Sequence, residues 1–480
     1  MQEQFRKHLI DSGFEPFREL AAALEGGTPS VGIRLNPRKP GAAVSEGARR
    51  VPWHPAAYLL PSRPDFTLDP AMHQGAYYVQ DPSSMFVAEI FRQLLPDLPE
   101  RPRVLDLCAA PGGKTTAVAD LFPAGSLMVS NEYDFRRAEI LKENIIKWGY
   151  PWSVVSRGDT ARFRSLPDFF DLVIVDAPCS GEGMMRKDSK AAEQWSPALV
   201  AQCATLQEEI LDNAAATLRP GGYLIYSTCT FNTDENERQT ERLLASGAFE
   251  PVAISTDPSW NILAESPLHP SPFTLNSLRF LPGRIEGEGY TVAVLRKTED
   301  APSAAAAGRK QGKNGKEGSR KSSAASPKLP ETELLARVPA SLRPRLTTIR
   351  EGEVAAIPEA IYAPFRELSR ALDIIHAGVT VAEIKGRDYL PTQSLAMLAP
   401  PFTLNPSPFT PFPTFEVDKA AALDYLRRQA LSLPSEASKG YLLLTYRPSP
   451  DAAPLPLGFV KNLGNRANNL YPAPWRILKG

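Results

Sequence analysis

The chain has 480 residues, 43% of them hydrophobic and 22% charged, and its 54 Lys and Arg balance 54 Asp and Glu. That length exceeds one hydrophobic core and predicts two to four domains of ordinary globular composition. No apolar run approaches the ~20 residues of a membrane span, four cysteines are too few for a disulfide framework, and zero net charge requires any nucleic-acid surface to be gathered locally.

The N-terminal MQEQFRKHLIDSGF is charged and helical in pattern, without a signal-peptide apolar stretch, so a cytoplasmic location is expected. One or two helices and the alternating segment SVGIRLNP, with Ile33 and Leu35 on one face, fill residues 1–50. Residues 51–80, rich in Pro and aromatics, predict an irregular packed connection. A helix pattern follows in SSMFVAEIFRQLL, with Asp81 or Ser83 placed to cap it.

From 101 to 298, short apolar runs alternate with helical periods. RVLDL (103–107), LMVSN (127–131), SVVSR (153–157), DLVIVD (171–176) and GYLIYS (222–227) predict strands. Residues 114–121, 134–147 and 198–218 predict helices, the last stopped by Arg219-Pro220-Gly221-Gly222. The alternation predicts an α/β fold with a doubly wound parallel sheet, which takes ligands beyond the carboxyl ends of its strands. Residues 299–330 have almost no large apolar side chain and predict a flexible basic linker. Residues 331–480 predict a small domain, mixed α/β or mostly β, with strands at 440–446 and 458–464 and a helix near 418–430. Its last part, 439–480, gathers six Lys and Arg against the single Asp451.

Three strand-end loops carry the candidate chemistry. VLDLCAAPGGKTT (104–116) runs from strand to helix through Gly112 and Gly113, which let the backbone approach a ligand closely. It has neither the P-loop nor the dinucleotide glycine spacing. Opened by Asp106, it suits a ligand built from a sugar, a base and a zwitterionic amino acid, which is the make-up of S-adenosylmethionine. Glu132 ends the second strand and is placed for ribose hydroxyls, and Asp159 follows the third for the adenine amine. Taken singly, either acid reads equally as a helix cap or a solvated turn. The other two loops are DAPCSG (176–181), with Cys179, and YSTCTFN (226–232), with Cys229. Spacing alone does not rank the two thiols. A reactive thiol needs a lowered pKa, for which Lys114 and Lys187 are the candidate cations. Cys203 lies on an apolar helical face and reads as core, Cys108 as a backbone contributor. No paired C-x-x-C spacing occurs, so no metal is expected.

CAAPGGK, DAPCSGEGMMRKD and YSTCTFNTDENE together resemble the RNA cytosine-C5 methyltransferases of the Nol1/Nop2/Sun family. YYVQDPSSM (77–85) and RFLPGRIEGEGYTVAVLRK (279–297) extend the resemblance, and PLGFVKNLGNRANNLYPAPWRI (456–477) is similar to the PUA-like tail of its bacterial small-subunit rRNA branch. The resemblance implies an N-terminal RNA-binding segment (1–80), a Rossmann-like S-adenosylmethionine-dependent catalytic domain (81–298), the linker, and a PUA-like RNA-binding domain (331–480). It implies a monomer that methylates 16S rRNA in the small subunit. A tRNA methyltransferase and an idle ribosome-assembly factor are the alternatives, the latter disfavoured by retention of Asp176 and both thiols.

Cytosine C5 is too weak a nucleophile to take a methyl group unaided. The resemblance makes Cys229 the nucleophile that adds at C6, Asp176 the group on the N3/N4 edge, and Cys179 the residue that removes the C5 proton or releases the product. Cofactor contacts are expected from Cys108, Ala109, Ala110, Pro111, Gly112, Gly113, Lys114, Glu132, Arg137, Asp159 and Asp176. The target base must be unpaired or flipped out, held by RNA contacts from Arg34, Arg186, Lys187, Lys461 and Arg466. Arg38, Lys39, Asn462 and Asn468 are further RNA candidates, and Tyr471 and Trp475 suit stacking on single-stranded RNA. Gly283 departs from the pattern, since many members have His at that position.

Overall fold

Leu172, Val173, Ile174 and Val175 are fully buried, as are Val104, Leu105, Met128, Val129 and Val154. Runs apolar on both faces must be covered on both faces, and parallel pairing with crossover helices achieves this. The computed structural model describes residues 3–11, 15–264, 276–301, 330–399 and 411–479. Strands Ser153–Arg157, Leu127–Glu132, Arg103–Asp106, Phe170–Asp176 and Leu218–Thr228 lie side by side in that order, all parallel. The order reverses between Arg103–Asp106 and Phe170–Asp176, which opens the crevice where such sheets take ligands. Helices Gly113–Ala119, Phe135–Trp148 and Pro197–Thr217 make the crossovers.

The sheet is not purely parallel. Tyr290–Lys297 pairs antiparallel with Leu218–Thr228, and Phe249–Val252 and Leu278–Phe280 pair with it in turn. The Arg219–Gly222 stop also differs from expectation. The helix ends at Thr217, but the strand begins at Leu218, and the turn bulges out between the pairs Phe170–Leu218 and Leu172–Tyr223. Gly221, at φ +74°, permits that excursion. Cys203, expected in the core, is only partly buried on the helix Pro197–Thr217.

Residues 51–80, expected to be irregular, supply strands Ala57–Leu59 and Tyr77–Val79. These flank Gly32–Leu35 in a four-stranded sheet with Arg49–Arg50 at its edge. Helices Glu3–Asp11 and Glu15–Gly26 bury Phe5, Leu20, Ala21 and Leu24 against Trp195, Val200, Phe231 and Leu281. The N-terminal segment therefore shares a buried cluster with Phe231 of the Cys229 loop.

Residues 331–480 carry two four-stranded sheets that share a buried cluster, Val354, Val379 and Val381 of one with Leu443 and Phe459 of the other. One four-stranded sheet runs Arg345–Arg350, Glu353–Ile357, Val379–Lys385, Asp388–Leu390, and another Thr414–Glu416, Gly440–Tyr446, Leu455–Asn462, Ala467–Asn469. Between the strands of the first, Ile374–Ala377 leaves to pair antiparallel with Ser153–Arg157, closing an edge of the large sheet. Arg157 Nη2 and Asp373 Oδ2, 2.7 Å apart, clamp that junction. The expected linker, 299–330, lies outside the described residues except at its ends.

Candidate functional site

The loop after Arg103–Asp106 is held by its own backbone and by three side chains. Ala109 N donates to Asn131 O at 2.8 Å and Gly112 N to Ala109 O at 2.7 Å. Pro111 O accepts from Tyr78 OH (2.9 Å) and Asn144 Nδ2 (2.8 Å), and Ala110 O from Arg137 Nη2 (3.0 Å). Gly112 sits at φ +106°, and a Cβ there would stand 3.1 Å from Leu141 Cδ1, so conformation and space both favour glycine. The Cys108 thiol is pushed up by burial first and then by the charges of Asp106, Glu132 and Asp176. It is an unreactive thiol.

Asp106 does more than open the loop. Its Oδ2 accepts from Thr115 Oγ1 at 2.6 Å, while its buried Oδ1 has no hydrogen-bond partner among the described residues. Burial, opposed by the Thr115 bond and reinforced by Asp176, pushes this carboxyl up to about 7. An unmet buried acceptor of this kind suits an ammonium group of a ligand. Glu132 is 5% exposed, accepts from Asp134 N at 3.0 Å, and lies 3.5 Å from Arg137 Nη2. Asp159 spends one oxygen on capping Thr160–Ser165 through Ala161 N (2.8 Å), the local role always open to it.

Asp176 ends its strand at the crevice. Its Oδ2 lies 2.7 Å from Lys114 Nζ, and its Oδ1 accepts from Ser227 Oγ at 2.9 Å. Burial opposes the Lys114 charge, but Asp176, Tyr290 and Asp106 together outweigh it and hold the ammonium above its ordinary range. Lys114 thus spends its charge first on Asp176.

Cys179 and Cys229 arrive from neighbouring strands with their sulfurs 3.1 Å apart, as free thiols in hydrogen-bond contact. The bond to Cys229, then burial, then the charges of Cys229 and Glu235 raise the Cys179 thiol well above its ordinary value. A protonated Cys179 beside Cys229 is the arrangement that lets one sulfur donate to the other.

Glu182 and Glu235, absent from the expected site, tie the two loops together. Both are fully buried. Glu182, three residues after Cys179, accepts from Phe231 N (2.7 Å) and Asn232 N (3.1 Å) beside Cys229. Glu235, six residues after Cys229, accepts from Ser180 N (2.9 Å) beside Cys179. Each carboxylate belongs to one thiol loop and binds the other. The signal was present, because both acids lie inside the motifs DAPCSGEGMMRKD and YSTCTFNTDENE.

Several expected RNA contacts are spent inside the protein. Arg34 is fully buried, pairs with Asp120, donates to Gln80 Oε1 (3.1 Å) and Thr116 Oγ1 (2.5 Å), and lies 4.5 Å over the Trp148 ring. It fastens the N-terminal sheet to the helix after the cofactor loop. Arg34→Ala should cost about 3–5 kcal/mol by stranding the buried Asp120 carboxylate. Urea unfolding measures that loss, and a loss under 1 kcal/mol would remove this anchoring role.

Lys39 is buried on Gln74 O (3.0 Å) and Lys147 O (2.6 Å), and burial lowers it to about 7. Arg186 forms a bidentate pair with Glu288 at 2.9 and 2.8 Å. Lys187 keeps partial exposure, 3.5 Å from Asp81 and 3.7 Å from Glu288. Arg38 lies over the Tyr150 and Trp152 rings. In the C-terminal sheet Asn462 and Tyr471 are buried, Trp475 packs on Tyr471, and Lys461, Arg466 and Asn468 reach solvent. Gly283, at φ +95°, faces Ala23, whose Cβ would stand 3.0 Å from an added one. Helix Glu15–Gly26 thus leaves little room for a side chain there.

Residues 93–296 match the family model for 16S rRNA methyltransferase RsmB/F, residues 2–82 the N-terminal domain of 16S rRNA methyltransferase RsmF, and residues 412–477 the methyltransferase RsmF PUA domain. Ribosomal RNA small subunit methyltransferase F of Klebsiella pneumoniae (strain 342) is 30% identical over 442 residues, 88% of this chain and 83% of its own. Its namesake in Serratia proteamaculans (strain 568) is 38% identical over 244 residues, 50% of this chain and 48% of its own. Among solved structures, a methyltransferase homolog protein from Pyrococcus horikoshii matches with TM-score 0.50 and 25% identity over 62% of this chain and 100% of its own. NSun6 from Pyrococcus horikoshii with SFG has the same TM-score at 19% identity, over 62% of this chain and 97% of its own, and shares the fold.

Proposed function

The chain belongs to the family of ribosomal RNA small subunit methyltransferase F, and from that premise we propose that it methylates C5 of a cytosine in 16S rRNA through a transient bond to Cys229. The observation that carries this reading is the pair of thiols, 3.1 Å apart, at the strand ends beside Asp176. A methyltransferase acting on an oxygen or an amine needs no sulfur nucleophile, and none needs two.

S-adenosylmethionine, when bound, supplies an electrophilic methyl group. The residues present fit it: Asp106 Oδ1 for the ammonium, Glu132 for ribose, and the Cys108–Lys114 backbone along its length. Asp159 retains one oxygen for the adenine amine. Cys229 adds to C6 of the cytosine, and the electron pair displaced from the C5–C6 bond makes C5 nucleophilic. Asp176, held by Lys114 and Ser227, accepts from the N4 amine and from N3 once N3 has taken up the proton that Cys229 gives up, so that negative charge does not accumulate on the ring. After methylation the C5 proton must leave and the Cys229–C6 bond must break, and Cys179 is the neighbouring proton carrier for that step. Bisulfite sequencing of 16S rRNA treated with the purified protein and cofactor tests the reading, and absence of any new 5-methylcytosine overturns it.

Asp106 gives the cofactor site a pH dependence of definite sign. A carboxyl raised to about 7 keeps its proton in the folded chain where the unfolded chain has lost it. Its protonation therefore favours the folded chain at acid pH, and that contribution is lost as pH rises toward 7. The ligand ammonium prefers the ionised form. Cofactor affinity should accordingly rise by up to about tenfold between pH 6 and 8, as the ionised fraction climbs. Asp106→Asn should lower affinity and flatten the profile. Calorimetric titration with S-adenosylmethionine checks both, and a flat wild-type profile would remove Asp106 from the site.

RNA contact is supported at two surfaces. Lys461, 5.2 Å over the Tyr441 ring, and the exposed Arg466 and Asn468 form one. A cleft of about 790 Å³, lined by Arg49, Arg63 and Lys187, lies against the loop that follows Cys179 and forms the other. Deleting 331–480 would strip Ile374–Ala377 from the large sheet, so charge reversal is the cleaner test. Lys461→Glu with Arg466→Glu should reduce the slope of log affinity against log salt by about 2. Filter binding across salt concentrations reads this, and an unchanged slope excludes the tail from the RNA face.

A further inference from the structure

Glu235 supports the two thiols unequally. Its carboxylate accepts from Ser180 N (2.9 Å), Ser180 Oγ, Gln207 Nε2 (2.9 Å) and Asn232 Nδ2 (2.7 Å). Ser180 follows Cys179 directly. Gln207 Nε2 also reaches Pro178 O at 2.9 Å, so both neighbours of Cys179 are tied to this one carboxylate. Cys229 has anchors of its own. Its carbonyl accepts from Gly183 N at 2.7 Å, and Phe231 N and Asn232 N donate to Glu182. Arg279 Nη1 donates to Phe231 O at 2.8 Å, and Thr228 Oγ1 to Asn236 Oδ1 at 2.7 Å. Loss of the Glu235 carboxylate would loosen Pro178–Ser180 around the Cys179 sulfur and leave these bonds standing, including those that Glu182 and Gly183 make further along the same loop.

We propose that Glu235 is a positioning residue that aims Cys179 at Cys229, and so governs release of the methylated base and not attack on it. The proposal rests on the roles assigned above to the two sulfurs. Three of the four groups facing the carboxylate are N–H donors that cannot accept, so an amide in its place would set donor against donor. Glu235 is fully buried, so a mismatched donor there is cut off from bulk solvent.

The test uses the full-length chain with Glu235→Gln, a 16S rRNA transcript and S-adenosylmethionine. Steady-state methyl transfer should fall at least about tenfold, while single-turnover formation of the denaturant-resistant RNA–protein adduct stays within about threefold of wild type. The steady-state adduct fraction should rise toward that of Cys179→Ala. Ser180→Ala, which deletes only the hydroxyl bond, should move the same readouts in the same direction by less. A purely structural role would lower adduct formation and turnover in parallel, and that result, or unchanged turnover, overturns the proposal. If Glu235→Gln does not fold, Ser180→Ala decides by the same criteria. A wild-type chain that forms no adduct overturns the Cys229 reading first, and shows it before any Glu235 variant is made.

Discussion

Cys229→Ala should reduce methyl transfer to 16S rRNA by on the order of 10⁴-fold or more, because it removes the group that forms the bond on which the later steps depend. Cofactor affinity should stay within a few-fold. The cofactor loop is built on Asn131, Tyr78, Asn144 and Arg137, none of which touches the thiol loops in the bonds that hold Pro111, Ala110 and Ala109. Transfer of tritiated methyl groups measures the first effect and calorimetry the second. The neighbouring sulfur supplies the competing outcome. Cys179 lies 3.1 Å away and is chemically able to attack. Residual turnover within about tenfold of wild type would assign attack to Cys179.

Cys179→Ala should produce the opposite kinetic picture. Attack proceeds through Cys229, the methyl group is transferred, and the chain then stays attached to C6 because the nearby proton carrier is gone. Turnover should fall by about 10²–10⁴-fold, the range for loss of a positioned acid or base. The RNA–protein adduct should persist as a slow band in denaturing gels. The raised Cys179 thiol keeps its proton during attack and so leaves that step to Cys229; in release the departing Cys229 sulfur, 3.1 Å away, takes that proton, and the Cys179 thiolate so formed takes the one from C5 as the C5–C6 double bond re-forms. Full turnover without a band would take the release role from Cys179 and give it to solvent or another residue.

The three loops were legible because each motif sits where an apolar run ends. DLVIVD and GYLIYS announce buried strands by composition alone, and parallel neighbours bring successive strand ends to one edge of the sheet. Arg34 and Arg186, expected on RNA, are paired in the interior for an equally physical reason. In SVGIRLNP the alternation places Ile33 and Leu35 on one face and so sends Arg34 to the other, which reads as solvent. That second face is covered by the helix after the cofactor loop and by Trp148, and the charge finds Asp120 there, 86 positions along the chain. Arg186 meets Glu288 across 102 positions. A cation cannot be told apart as solvated or paired when its partner is so remote, because local spacing carries no information about it.

From its sequence alone this protein has its sheet strands, its cofactor loop and the sulfurs that belong near it, since hydrophobic period and loop chemistry are local properties. Contact between sulfurs 50 residues apart, the crossed grip of Glu182 and Glu235, the loan of Ile374–Ala377 to the large sheet and the loss of Arg34 and Arg186 to the interior came only with tertiary structure. Each is a meeting of distant segments, settled by which buried polar groups must satisfy one another once water is excluded.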